Sequence, residues 1–312
     1  MNSEVIGSPF ASPWTASPTF GLVQRQPVFL PRGPTALAIG RIHRPASIAN
    51  DMATPGETAV RPMRISYATE AAPGLVNEDY VVAGPDWAVV LDGATAPSGV
   101  DSGCVHDVSW LVHRLGGALA GRLAAGGGGS LQDVLASAIE QVGRAHAGTC
   151  DLTNPDSPSS TVAMARWGEG RLECLVLADS PIVVRHAGGA IELVGDDRLL
   201  HLPGGLPYTR ALVRSHRNRP GGFWVASTSQ AAAYEAVTAT FPEEGLETVA
   251  LLTDGVTRLV ERYGHTWHGL LGELRERGPQ YVIGRVRDAE RASPAAHGKP
   301  HDDATALVIA HG

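Results

Sequence analysis

The sequence predicts an α+β fold with antiparallel strand pairing, and three observations carry that prediction. Apolar runs are short and bounded by Gly, Asp and Pro, two pairs of consecutive runs are joined by turns too short for a crossover helix, and helical periodicity is confined to separate stretches. Of the 312 residues 43% are hydrophobic and 18% charged, which is enough apolar material for a sizeable core and too little charge for wholesale disorder. Length alone allows a single α/β or α+β domain over residues 63–312, and the short connections favour the second.

Taken in order, the β-like runs are RISYA, YVVAG, WAVVLDG, TVAMARW, LECLVLADS, IVVRHA, AIELVG, TVALLTDG and ATALVIA. The turn sequence WGEGRL joins the fourth to the fifth, and HAGGAIEL joins the sixth to the seventh, so both pairs are hairpins. Between the third and fourth runs, Val105, Val108, Val112, Leu115 and Leu119 recur at helical spacing after Asp101. Leu131, Val134, Leu135, Ala138 and Val142 repeat the pattern after Ser130, an N-cap candidate. The intervening AAGGGGS lacks the strand-to-helix context and the Lys of a phosphate-binding loop and reads as a flexible connector. Near the carboxyl end, DGVTRLVERYG, TWHGLLGELRERG and PQYVIGRVRDAERA are expected to be helices, the last two amphipathic. Met164 and Trp167 are expected to pack in the core.

Residues 1–62 differ from the rest. They hold 9 of the 22 Pro and no sustained period of 2 or 3.6, which reads as a disordered extension, with Met52 or Met63 as the expected true start of the working protein. Five Arg there face Glu4, Asp51 and Glu57, so the extension is +2 and the remainder carries −9 of the total −7. An acidic main body argues against nucleic acid as a partner, because phosphate neutralisation needs clustered Lys or Arg. Neither an 18-residue apolar run nor a secretory leader is read from the chain, so no membrane role and a cytoplasmic location are expected. Cys104, Cys150 and Cys174 form no CxxC pair and share no short spacing, so neither a disulfide framework nor a zinc knuckle is expected.

The pattern with chemical content is the recurrence of Asp where apolar runs end: Asp92, Asp179 and Asp254, with Asp302 just ahead of the last run. Carboxylates brought close together cannot all ionise unless a cation offsets them. Oxygen ligands without His or Cys favour Mg²⁺ or Mn²⁺ over Zn²⁺. Asp92-Gly93 and Asp254-Gly255 each add a turn at which a backbone carbonyl can approach an ion.

The ordered set Asn77-Glu78-Asp79, Leu91-Asp92-Gly93, Ser160-Thr161-Val162-Ala163, Ala178-Asp179-Ser180, Leu252-Thr253-Asp254-Gly255-Val256 and Asp302-Asp303-Ala304-Thr305 resembles the metal-dependent type 2C protein serine/threonine phosphatases, in a divergent bacterial-type form. The resemblance spans residues 65–310 and implies a four-layer α-β-β-α sandwich of two antiparallel sheets flanked by helices. It also implies two Mn²⁺ or Mg²⁺ ions bridged by Asp92, one served by Glu78 and the Gly93 carbonyl, the other by Asp254 and Asp302, with Asp79 acting through water. Asp179 matches the residue that, with Asp254, holds a third ion in many bacterial members. By the same resemblance, Asp92, Asp254 and Asp302 act through a metal-activated water that attacks phosphoserine or phosphothreonine on a protein substrate, opposing a serine/threonine kinase.

The chain departs from the family pattern at three positions. Gly74 stands where many members carry a phosphate-clamping Arg, Ala94 where many carry the His proposed as general acid, and Pro181 where a further Arg is typical. Arg64, Arg210 and Arg214 are candidates to replace the clamp, and His301, beside Asp302, is the candidate general acid, with an ordinary loop His as the simpler reading. Asp196 and Asp197 are assigned to a turn. Two rival readings follow from the departures: a non-catalytic phosphoprotein-binding regulatory module, and a hydrolase of small phosphomonoesters.

Overall fold

The computed structural model describes residues 63–311 apart from 97–98, 127, 206 and 294–298. The expectations for residues 1–62, including a start at Met52, lie outside the described residues.

The elements run β1 (Met63–Glu70), β2 (Asp79–Ala83), β3 (Trp87–Ala94), α1 (Val108–Ala124), α2 (Leu131–His146), β4 (Ser159–Ser160), β5 (Val162–Gly168), β6 (Arg171–Leu177), β7 (Ile182–His186) and β8 (Ile191–Val194). After a 3₁₀ turn at Arg198–His201 come α3 (Arg210–His216), α4 (Ala231–Tyr234), β9 (Val237–Pro242), β10 (Leu246–Leu252), α5 (Asp254–Glu261), α6 (Trp267–Arg277), α7 (Pro279–Ala292) and β11 (Ala304–His311). One sheet has the order β1-β11-β10-β7-β8, and the other β2-β3-β5-β6-β9 with β4 pairing the end of β3. All strand pairs are antiparallel. The α+β class and the four-layer sandwich are as the sequence predicts.

Residue alternation explains the layers. On β3, Ala88 and Val90 face the other sheet, packing with Val184, Leu251 and Leu307, while Val89 and Leu91 face the helices with Leu115, Leu119 and Ile139. A strand buried on both faces reads as an unbroken apolar run, which is why WAVVL shows no alternation. The third layer interface buries Ala250, Leu252, Val308 and Ala306 under Leu259, Leu270, Leu274, Ile283 and Val286 of α5–α7.

Local signals act where they are placed. Ser130 caps α2 in a reciprocal box with Asp133. The β5–β6 hairpin turns through Glu169 and Gly170, both at positive φ (54° and 76°), the geometry that matches strand twist in a two-residue loop. Met164 is fully buried and Trp167 is buried against the inter-sheet core.

Two expectations need correction. α1 begins at Val108 with Asp107 as its cap, accepting from the Trp110 amide at 2.7 Å, so neither Asp101 nor Val105 belongs to it, and Val105 is exposed. β9 was not among the predicted strands: VTATFP alternates with Ala239 and Phe241 inward, but its two Thr and small Ala give little hydrophobic contrast.

Candidate active site

In an antiparallel sheet the end of one strand adjoins the start of the next, so residues far apart in sequence meet at one edge of the sandwich. Glu78 precedes β2, Asp92 is near the end of β3, Asp179 follows β6, Asp254 follows β10 and opens α5, and Asp302 precedes β11. Asp79 lies directly opposite Asp92 in the β2–β3 register, which puts their side chains on the same face about 5 Å apart at Cβ.

The supporting hydrogen bonds fix this edge. Thr161 donates its amide to the Asp92 carbonyl at 2.9 Å, and its hydroxyl accepts from the Asp92 amide at 3.1 Å. Buried Ser180 shares a 2.6 Å contact with the same hydroxyl, linking the Asp92 strand to the Asp179 turn. Thr253 donates to the Asp79 carboxylate at 3.0 Å and accepts from the Thr305 amide at 2.9 Å, so Asp79 is tied to the other sheet. Asp303 accepts from the Ala72 amide (2.7 Å) and the Glu78 amide (2.6 Å), holding the β1–β2 connection in place. Glu78 itself accepts from the Thr95 hydroxyl.

Gly93 is at a close approach. A Cβ there would sit 2.3 Å from Val108 and 2.5 Å from the Glu78 carbonyl oxygen. Ala178 has φ 65°, a left-handed conformation that favours Gly, and its amide is held by the buried Asp196 carboxylate at 3.0 Å. Asp196 also pairs with Arg198 at 2.6 Å, so this buried carboxylate braces the Ala178 loop.

The electrostatics are those of crowded carboxylates. Burial raises Asp92 well above the ordinary range, and the charges of Asp79, Asp254, Asp302 and Asp179 push it further. Burial also raises Asp79, with Asp303 and Asp254 adding to the rise against hydrogen bonds from Thr305 and Thr253. Asp179 is raised by burial and then by Asp254. Asp254 is brought to about 7 by burial and Asp302, with Arg258 and Lys299 opposing. Burial lifts Glu78, against the Thr95 hydrogen bond. One buried oxygen of Asp79, Oδ1, has no hydrogen-bond partner among the described residues.

Cations answer part of this charge. Arg258, 1% exposed, reaches Asp302 at 3.1 Å and Glu290 at 2.7 Å. Lys299, the sole lysine of the chain, reaches Asp302 at 3.0 Å. His301 has an orienting partner, its Nδ1 lying 2.8 Å from buried Glu290, so it is not the unpartnered loop His of the simpler reading.

The edge thus gathers Glu78, Asp79, Asp92, Gly93, Asp179, Asp254 and Asp302, with His301 adjoining. It does not gather Arg64. That residue pairs with Ala310 at the far end of β1, six residues or roughly 20 Å along the strand from the Glu70–Ala304 pair at the acidic edge. Arg210 and Arg214 both converge on Asp156, at 3.5 and 3.2 Å, on the connection that leads into β4.

A family model for protein phosphatase 2C matches residues 69–280. The chain belongs to the protein phosphatase 2C family. It is therefore a serine/threonine phosphatase at the level of the family, whose members use divalent metal ions and act on phosphoproteins. Among solved structures, the Mycobacterium tuberculosis serine/threonine phosphatase PstP/Ppp superposes with a TM-score of 0.53 at 16% identity, over 80% of this chain and 98% of that one. The catalytic domain of serine/threonine protein phosphatase PstP in complex with two manganese ions gives 0.51 at 17%, over 80% and 97%. PppA, a key regulatory component of T6SS in Pseudomonas aeruginosa, gives 0.50 at 17%, over 81% and 99%. At these identities the likeness is one of fold. No curated protein matches in sequence. Among the described residues of this phosphatase, no helix is long and apolar enough to cross a membrane.

Sequence reading missed the cations Arg258 and Lys299. Arg258 sits four residues after Asp254 on α5, but with 24 Arg in the chain spacing does not single it out, whereas Lys299, three before Asp302, is marked by being the sole lysine. It also missed a cluster outside the acidic edge: Cys104, His106, His146 and Cys150 place ligand-type atoms within 4.8 Å of one another. The signal available was Cys-x-His and His-x₃-Cys, two short pairs that become visible only when His is counted with Cys.

Proposed function

We propose that this phosphatase hydrolyses phosphoserine and phosphothreonine on proteins with two Mn²⁺ or Mg²⁺ ions held at the acidic edge. The observation that carries the reading is the convergence of Asp79, Asp179, Asp254 and Asp302 on Asp92 together with the unpartnered Asp79 Oδ1: an oxygen-only donor set with more negative charge than its own cations offset fits a hard divalent ion. Asp92 would be shared by both ions, Glu78 and the Gly93 carbonyl would serve one, and Asp254 and Asp302 the other. Asp79 would act through water, and Asp179 with Asp254 would take a third ion. Bound there, two ions lower the pKa of an attacking water and offset charge on the phosphoryl oxygens.

The chain's own residues supply position and protons. Thr161, Ser180 and Thr253 hold the two sheets' carboxylates at fixed separation, so little reorganisation is needed when cations arrive. His301 has Nδ1 on Glu290, which leaves Nε2 as the nitrogen to protonate a departing alkoxide in place of the missing His at Ala94. Lys299 is a half-exposed cation beside Asp302, and with the family's Arg absent at Gly74 it is the candidate partner for substrate phosphate once Asp302 turns to a metal. A serine/threonine kinase is the opposing activity.

The test is hydrolysis of a phosphothreonine peptide and of a chromogenic phosphate ester with Mn²⁺ and with chelator, alongside Asp92→Ala and Asp254→Ala. Metal-dependent turnover of the peptide, lost in both variants, is expected. Equal rates in all conditions would refute the metal mechanism, and turnover of the small ester alone would move the substrate class to small phosphomonoesters.

A further inference from the structure

We propose that Cys104, His106, His146 and Cys150 bind a structural zinc ion, separate from the acidic edge, that clips the loop after β3 to the loop before β4.

The four residues come from two places. Cys104 and His106 lie in the loop that ends at Asp107, the cap of α1, while His146 is the last residue of α2 and Cys150 lies in the loop beyond it. Their ligand-type atoms all fall within 4.8 Å of one another. His106 Nδ1 is 3.6 Å from Cys104 Sγ and 3.3 Å from Cys150 Sγ, and His146 Nδ1 is 3.4 Å from Cys104 Sγ. A tetrahedral zinc with bonds of about 2.3 Å to sulfur and about 2.0–2.1 Å to nitrogen sets S···N edges at about 3.5 Å, which is what these distances are. The two sulfurs are 2.8 Å apart and would separate by about 1 Å on binding.

Chemistry selects the ion and argues against a disulfide. Two thiolates and two imidazoles are soft and borderline donors that take zinc, whereas the oxygen-only acidic edge suits Mn²⁺ or Mg²⁺. A disulfide, with sulfurs about 2.05 Å apart, would account for the cysteines but not for two Nδ1 atoms set against their sulfurs at 3.3–3.6 Å. His146 is 2% exposed, its Nε2 has no hydrogen-bond partner among the described residues, and its Nδ1 lies against the Cys104 sulfur. A buried imidazole is costly unless something uses its nitrogen. Trp110 fixes both rings, stacking on His106 at 3.9 Å and meeting His146 edge-on at 4.5 Å.

The position gives the clip a purpose. β3 leaves the acidic edge at Gly93-Ala94, and β4 returns to pair with those residues through Ser160 and Ser159. The two loops already share bonds from the Asp151 amide to the Gly103 carbonyl (2.7 Å) and from the Asn154 amide group to the Asp101 carbonyl (3.0 Å). A metal there ties the segment that leaves Gly93-Ala94 to the segment that returns to them at Ser159-Ser160, and binding free energy of this kind is folding free energy.

The experiment is zinc content of the full chain isolated under reducing conditions, measured by atomic mass spectrometry. About one zinc per chain is expected, retained after dialysis that removes Mn²⁺ and retained in Asp92→Asn, which keeps this test separate from that of the acidic edge. Loss of the zinc in Cys104→Ser/Cys150→Ser is expected. Because that variant depends on folding, two readouts use the unaltered chain: Co²⁺ substitution should give a thiolate-to-cobalt charge-transfer band with tetrahedral visible bands, and zinc should protect Cys104 and Cys150, but not the buried Cys174 any further, from alkylation. No zinc uptake by the reduced chain, a cobalt spectrum without thiolate bands, or a Cys104–Cys150 disulfide in protein isolated without air would overturn the proposal.

Discussion

Arg258 lies buried within the α5 layer, 3.1 Å from Asp302 and 2.7 Å from Glu290, so a guanidinium with 1% of its surface exposed links the acidic edge to the helix behind it. Glu290 is itself shared with Arg287 (3.0 Å) and His301 (2.8 Å). Removing one partner of a buried pair leaves an uncompensated charge, which costs about 3–5 kcal/mol. Arg258→Met is therefore expected to lower stability by that order in a denaturant titration without metal. It should also loosen His301 through Glu290. A change below about 1 kcal/mol would mean that Arg287 alone satisfies Glu290.

Asp92 stands among like charges, with burial first and then Asp79, Asp254, Asp302 and Asp179 all raising its pKa. A neutral residue of the same shape removes that conflict. Asp92→Asn is expected to melt higher than the parent chain without metal at pH 8, yet to gain no thermal stability from Mn²⁺ and to lose phosphatase activity. The opposite order of melting temperatures would show that Asp92 is held by favourable contacts and not against repulsion.

The same carboxylates set a pH dependence. Burial, with the charge of Asp302, pushes Asp254 up to about 7 from the ordinary 3.8, so between those values the native state holds a proton that the unfolded chain has released. Stability without metal is therefore full below about pH 4 for this group and falls as pH rises toward 7, by a few kcal/mol. Mn²⁺ binding must displace that proton. Calorimetry near pH 6.5 in buffers of different ionisation enthalpy should detect proton release, with less at pH 9, and metal stabilisation should grow with pH.

Lys299 occupies the position a cation would take on Asp302, at 3.0 Å, with more than half of its side chain in solvent. Asp302 and Asp254 raise its pKa against the desolvation that lowers it, so it stays charged across the accessible range. Lys299→Ala is expected to bind Mn²⁺ several-fold more tightly, since one competitor for Asp302 is gone, and to raise KM for a phosphopeptide. Unchanged metal affinity would mean that the ammonium swings aside freely.

Much of the edge is legible in the sequence because strand ends are marked twice, by the end of an apolar run and by Asp-Gly. Asp92 and Asp254 carry both marks and Asp179, followed by Ser180, carries the first, and antiparallel pairing brings the three strand ends to one edge. β9 is not legible, since its Thr-Ala-Thr core owes its place to β6 beside it and not to its own hydrophobicity. Arg64 misleads for a related reason: it opens the strand that ends near the edge, and direction along a strand is worth about 20 Å that composition does not record. The Cys/His cluster is hidden because its halves are separated by the whole α1–α2 hairpin.

Gly255 bears on how the second Asp-Gly works. The sequence suggests a turn that brings a carbonyl to an ion, but the structure puts Gly255 in the first turn of α5, buried, where a Cβ would lie 1.8 Å from the Asp303 carbonyl oxygen and 3.1 Å from the Ala304 Cα. Its contact is backbone against backbone, so no side-chain rotation can relieve a methyl group there. Helix α5 would have to move off the start of β11, carrying Asp254 away from Asp302 and Arg258 away from both. Gly255→Ala is expected to destabilise the chain by about 1–3 kcal/mol through overpacking and to weaken Mn²⁺ binding, whereas Gly117→Ala, on α1 with open space around it, should raise stability slightly through helix propensity. Melting curves of the two variants with and without Mn²⁺ make the comparison, and a Gly255→Ala protein with unaltered metal affinity would show that α5 and β11 can part without disturbing the carboxylates.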